Sequence, residues 1–115
     1  MANTFKLVSK ANVTSADVIY TVAGSTTTVL LGILLGNTTG SAITATVSLA
    51  SDTAGRAGNN DEANQTVELI TSTTIPGNSS LEILAGNKVV METTDELSVT
   101  GSGSTDVALS IMEIT

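Results

Sequence analysis

The sequence predicts an all-β fold, an antiparallel β-sandwich of jelly-roll type with about eight to nine short strands. Three observations predict it. Short runs rich in Val, Ile, Leu and Thr recur along the 115 residues, each closed by Gly, Asn, Ser or Pro. No stretch of ten residues carries helical periodicity. Charged residues make up 13% of the chain, against roughly 25% in an average soluble domain, and Ser, Thr, Asn and Gly stand in their place. That composition suits strands and polar turns, because surface helices draw on Glu, Lys, Arg and Ala. A single domain over 1–115 is expected, with one long insertion at 52–64.

The elements follow in order. Phe5 to Val8 reads as a first strand and "DVIYTVA" at 17–23 as a second. The third, "TTTVLLGILLG" at 26–36, stops at the polar turn "NTTGS". "AITATVSLAS" at 42–51 alternates cleanly, with Ile43, Ala45, Val47 and Leu49 on one side and Thr44, Thr46 and Ser48 on the other, so one face is wet. "QTVELITSTTI" at 65–75 runs into Pro76-Gly77-Asn78, a turn in which Pro fixes φ and Asn or Gly tolerates positive φ. "SSLEILA" at 79–85 and "KVVME" at 88–92 flank Gly86-Asn87, a pair that predicts a tight hairpin. "ELSVTG" at 96–101 and "DVALSIMEI" at 106–114 complete the set. Val107, Leu109 and Ile111 share a face while Ile114 has the other parity, which predicts a bulge near Met112 or a frayed end.

Val29 to Leu35 is the most apolar stretch, and it is apolar on both sides. A strand of that kind has to be covered twice. One cover is the sandwich core; the other is a loop of the same chain, a second subunit or a ligand. Leu30, Leu34 and Leu35 are the candidate contact residues. Asn59, Asn60, Asp61 and Glu62, in "DTAGRAGNNDEAN", form a second candidate, since connections of that length are often functional. Oxygen ligands for calcium are present there, but their spacing matches no established calcium loop.

The chemistry excluded is broad. The chain has no His and no Cys, which removes the commonest general base, the Ser-His-Asp and Cys-His arrangements, and thiolate or imidazole metal sites. Asp61-Glu62 and Asp95-Glu96 are adjacent pairs that point apart, not carboxylates facing across a cleft. An enzyme is not expected, nor a cofactor. The net charge of −7, with cations at Lys6, Lys10, Arg56 and Lys88 alone, argues against nucleic acid as a partner. The run at 29–35 is short of the ~20 residues that span a bilayer, and "MANTFKLVSK" lacks a signal-peptide core. No membrane association or cleaved export signal is expected.

Three segments carry a resemblance. "MANTFK", "IYTVAGSTTTVLLGILLGNTTGSAITATVSL" and "IPGNSSLEILAGNKVVMETTDELSVTGSGSTDVALSIMEIT" resemble small structural proteins of tailed bacteriophages, nearest to those of marine, T4-like cyanophages. The likeness covers roughly 1–50 and 75–115. Family members often have Ala-Gly after the proline where this chain has Gly77-Asn78. The resemblance implies a non-enzymatic virion component in many copies, made in the host cytoplasm and decorating or joining capsid, neck or tail. Its partners would be other virion proteins and copies of itself, with a trimer as the expected order. The alternative is a receptor- or glycan-binding module of a tail fibre, using the 52–64 loop.

Overall fold

The computed structural model describes residues 2–51, 65–84 and 86–115. Nine strands form: β1 (Asn3–Val13), β2 (Ala16–Thr21), β3 (Thr27–Asn37), β4 (Ile43–Ser51), β5 (Gln65–Ile75), β6 (Ser80–Ile83), β7 (Val89–Met91), β8 (Glu96–Gly101) and β9 (Thr105–Ile114). All nine expected strands are present, and the described residues contain no helix. The first is much longer than Phe5 to Val8, because an unbroken ladder ties Asn3 through Lys10 to β9.

The pairing is that of one long hairpin rolled up. β4 pairs with β5, β3 with β6 and β7, β2 with β8, and β1 with β9, all antiparallel. Rolling the doubled ribbon brings β9 against β3 and β8 against β4. Two sheets result, β1-β9-β3-β6 with β7 also on β3, here called the front sheet, and β2-β8-β4-β5, the back sheet. This is the jelly-roll arrangement.

Between the sheets lies a core of Leu30, Ile33, Leu35, Leu109, Ile111 and Met91 from the front, and Val47, Leu97, Val99 and Ile75 from the back. Each is at most 1% exposed, and each such side chain contributes about 1.5–3 kcal/mol by leaving water. β4 alternates as expected, with Ile43, Ala45 and Val47 buried and Thr44, Thr46 and Ser48 half-buried on the other side.

Two local expectations are corrected. Gly86-Asn87 does not close a hairpin. β6 and β7 do not pair with each other but lie end to end along the same edge of β3, at Ile33–Gly36 and Thr28–Leu30. Between them the Asn87 N–H donates to the Leu84 carbonyl at 3.2 Å, and Leu84 and Gly86 take positive φ. The irregularity expected near Met112 sits on the facing strand. β9 is regular against β1 from Asn3 to Lys10, whereas β3 slips by one residue against β9 between Leu30 and Gly32. Leu31 is the extra residue of that bulge.

The Pro76 turn forms as expected. The Ser79 N–H donates to the Pro76 carbonyl at 3.2 Å, and Asn78 takes positive φ. It packs against the 38–41 turn so closely that a Cβ at Gly77 would lie 2.5 Å from the Gly40 carbonyl oxygen. Asn37, buried at the end of β3, ties the two turns together. Its Nδ2 donates to the carbonyls of Ser41 at 2.8 Å and Ile75 at 2.9 Å, and its Oδ1 accepts from the Thr39 N–H at 2.9 Å. A buried amide satisfied in this way fixes the end of the strand that carries the candidate site.

Candidate functional site

Directly paired residues in an antiparallel sheet point to the same face, so the outer face of the front sheet can be read row by row. One row is Phe5, Met112, Val29 and Val90. The next is Leu7, Ser110 and Gly32, and the third is Ser9, Ala108, Leu34 and Glu82. A fourth holds Asp106, Gly36 and Ser80. Among the described residues six large apolar side chains are exposed, and four of them stand on this face: Phe5 (71%), Leu7 (71%), Val90 (62%) and Leu34 (44%).

The face is uneven. Small residues make two shallow grooves beside Leu34, of about 310 Å³ along Ser9, Ala11, Gly36 and Ala108 and about 210 Å³ along Gly32, Ala108 and Ser110. A Cβ added at Gly32 would meet open space. Bulky side chains at one end of the strands therefore stand next to a small-residue valley at the other.

The expected contact residues divide. Leu34 lies on this face and is exposed. Leu30 and Leu35 do not lie on it: both are fully buried in the core, and this corrects the expectation. Leu35 is buried because it alternates with its neighbour Leu34, and the bulge at Leu31 is the reason for Leu30. Strict alternation would put Leu30 with Leu34, but the extra residue moves Leu30 onto the face of Ile33 and Leu35. Asn59, Asn60, Asp61 and Glu62, and the 52–64 segment with them, lie outside the described residues.

Phe5, Leu7 and Val90 were not singled out from the sequence. In "TFKLVSK" the natural reading turns Phe5 and Leu7 inward and the lysines outward. The structure reverses it, because Lys6 pairs across from Ile111 on the core side and its Nζ sits 2.7 Å from Glu113 Oε1. The opposite Glu113 oxygen accepts from the Tyr20 hydroxyl at 2.6 Å, and that hydroxyl lies 2.7 Å from Oγ1 of the buried Thr28. One carboxylate thus links β1, β9 and β2, and through Tyr20 also β3, closing the side of the sandwich. Hydrogen bonding from Lys6, then from Tyr20, holds the Glu113 carboxyl below its ordinary range. Burial first, and then the bond to Glu113, push the Tyr20 hydroxyl up to about 12. Further along, Lys10 lies 3.6 Å from Asp17 across the same gap.

The outer face of the back sheet is different in kind. Its rows read Ala16, Thr100 and Thr46, then Val18, Ser98, Ser48 and Glu68, then Thr21, Glu96, Ala50 and Thr66. Val18 is its one exposed large hydrophobic. Among the described residues no group of three acidic side chains is placed to hold a metal ion.

No protein-family model matches the chain, and no curated protein matches it. Two solved structures are similar in fold. One is a Bacillus endospore appendage, described as a family of disulfide-linked pili, at 15% identity and a TM-score of 0.47, covering 99% of this chain and 87% of the other. The second is the T13 viral particle of IBDV, at 9% identity and a TM-score of 0.49, covering 96% of this chain and 35% of the other. At those scores neither likeness says what this chain does.

Proposed function

We propose that this chain is a non-enzymatic structural subunit that works in many copies, a β-sandwich that decorates or joins the capsid, neck or tail of a tailed phage. The single observation that carries the reading is the outer face of the front sheet, where Phe5, Leu7, Leu34 and Val90 share one exposed surface. Contiguous apolar surface of that kind marks an interaction site. The resemblance of segments 1–50 and 75–115 to small phage structural proteins supports the virion as the setting. The absence of His and Cys supports binding over catalysis.

Aliphatic contact also suits a chain of charge −7. Copies of an acidic subunit repel one another at long range, and salt screens that repulsion within about 8 Å at physiological ionic strength. Apolar burial is not weakened by the same salt. The test is mass spectrometry of purified particles separated into heads and tails, with the copy number in each. The reading expects the chain in one of these fractions at many copies per particle. A chain found as soluble monomer in infected cells and missing from particles overturns it.

A further inference from the structure

We infer that the outer face of the front sheet docks on the same face of a second copy, the two related by a two-fold axis across the strands through the row of Leu7, Ser110 and Gly32. The inference rests on the assembly reading above and names the surface and its occupant.

The sheet edges are poor contacts. β1, the long edge of the front sheet, turns Lys6 and Lys10 toward the sandwich interior side, and the opposite edge is split into β6 and β7, of four and three residues. On the back sheet β2 slips register once and β5 twice, with positive φ at Ser72. Inward-pointing charges, short strands and bulges are the devices that stop edge-to-edge pairing. The front face, by contrast, offers Phe5, Leu7, Val90 and Leu34 as exposed apolar side chains, with Glu82 and Asp106 toward one end.

The face is also of the right size. Four strand positions about 4.8 Å apart and eleven residues at ~3.4 Å each give about 19 by 37 Å, or roughly 700 Å² in projection. A stable pairing buries about 800 Å² of accessible surface per partner, which projecting side chains on this footprint supply.

The relief then matches itself. The stated axis lays Phe5 over Ser9 of the second copy and Met112 over Ala108 of the second copy. Val29 meets Leu34 of the second copy, and the glycine at position 32 leaves room at the centre. In the β1 and β9 columns large side chains meet small ones. Leu7 meets Leu7 and Val29 meets Leu34 of the second copy as apolar contacts, and Val90 faces Glu82 of the second copy at the β6 and β7 edge. The axis also keeps Asp106 of the two copies at opposite ends. An axis along the strands would set the bulky row of Phe5, Met112, Val29 and Val90 on the same row of the second copy. Such a pairing yields even-numbered assemblies, so a trimer made through this face is ruled out by the symmetry.

Sedimentation of the full chain tests this, with circular dichroism confirming that each variant folds. The wild type is expected to form an even-numbered species. Leu34→Asp and Gly32→Lys are expected to weaken it by about a hundredfold, the scale of burying an unpaired charge. Val18→Asp, on the back sheet, should leave it unchanged. If the wild type associates and the front-face variants behave like Val18→Asp, or if it stops at a trimer, the docking assignment is wrong while the assembly reading stands. If the wild type is a monomer and Leu34→Asp alone is lost from particles, the occupant is a different protein and the second copy is excluded. A wild-type monomer that never enters particles defeats both.

Discussion

The two outer faces of this sandwich are made by the same kind of strand and meet opposite fates. The back face is tiled with Thr46, Ser48, Ser98 and Thr100, hydroxyls that water or the backbone can satisfy; Thr46 Oγ1 accepts from the Ser72 N–H at 2.9 Å. The front face carries Phe5, Leu7, Leu34 and Val90 in the equivalent outward positions. Both sheets bury an aliphatic inner face in the same core. The fold therefore does not require the front face to be apolar. On the proposed reading an outside contact does, and that difference separates what stabilises the subunit from what it would bind.

The comparison breaks most sharply along β3 itself, where neighbouring residues serve the two sides. Leu35→Ala should cost about 2–5 kcal/mol in the isolated chain, as a core truncation does. Leu34→Ala should stay within about 0.5 kcal/mol. Urea unfolding of both variants checks this, and similar losses would mean that the two leucines are not on opposite faces.

Gly77→Ala comes next. A methyl placed 2.5 Å from the Gly40 carbonyl forces the two turns apart, which should cost about 1–3 kcal/mol. The loss should be read in the same unfolding experiment, with the front-face contact intact under native conditions.

The polar closure beside β1 sharpens the comparison through pH. Glu113 has its folded pKa depressed by Lys6 and Tyr20. Its contribution is present above the unfolded carboxylate value and is lost as pH falls through the folded one. Tyr20 is raised to about 12, so its contribution holds below its ordinary value and is lost as pH rises through about 12. Melting temperatures taken from neutral to acid pH should fall more steeply for the wild type than for Glu113→Gln. Parallel curves would remove Glu113 from the account of acid stability.

The smallest effect belongs to Gly32→Thr. The added side chain meets open space and a strand gains a β-former, so the isolated chain should gain up to about 1 kcal/mol. A marked loss would show that the bulge needs glycine for the fold itself.

Much of this was legible in the sequence, for physical reasons that also set its limit. Strand existence and the Pro76 turn depend on local chemistry, and Ile43, Ala45 and Val47 alternate as one covered face must. The hairpin at Gly86-Asn87 failed because β6 and β7 share a partner, β3, which no local signal reveals. The site was half legible. A strand apolar on both sides announces two covers, and Leu34 is exposed as such a reading expects. Leu30 went astray because one bulged residue, Leu31, exchanges its face, and bulges arise from pairing with β9; Leu35 is buried by plain alternation with its neighbour Leu34. Phe5 and Leu7 were hidden for a related reason. Their direction is set by Lys6 reaching Glu113, 107 positions away in the chain.

Hydroxyl-radical footprinting of the assembled chain, beside the same chain at a dilution where it dissociates, tests the difference between the faces most directly. Phe5, Leu7 and Met112 should be labelled severalfold less in the assembled state, with Val18 labelled equally in both. Equal labelling of Phe5 and Met112 in the two states, or protection of Val18 in their place, would contradict the account.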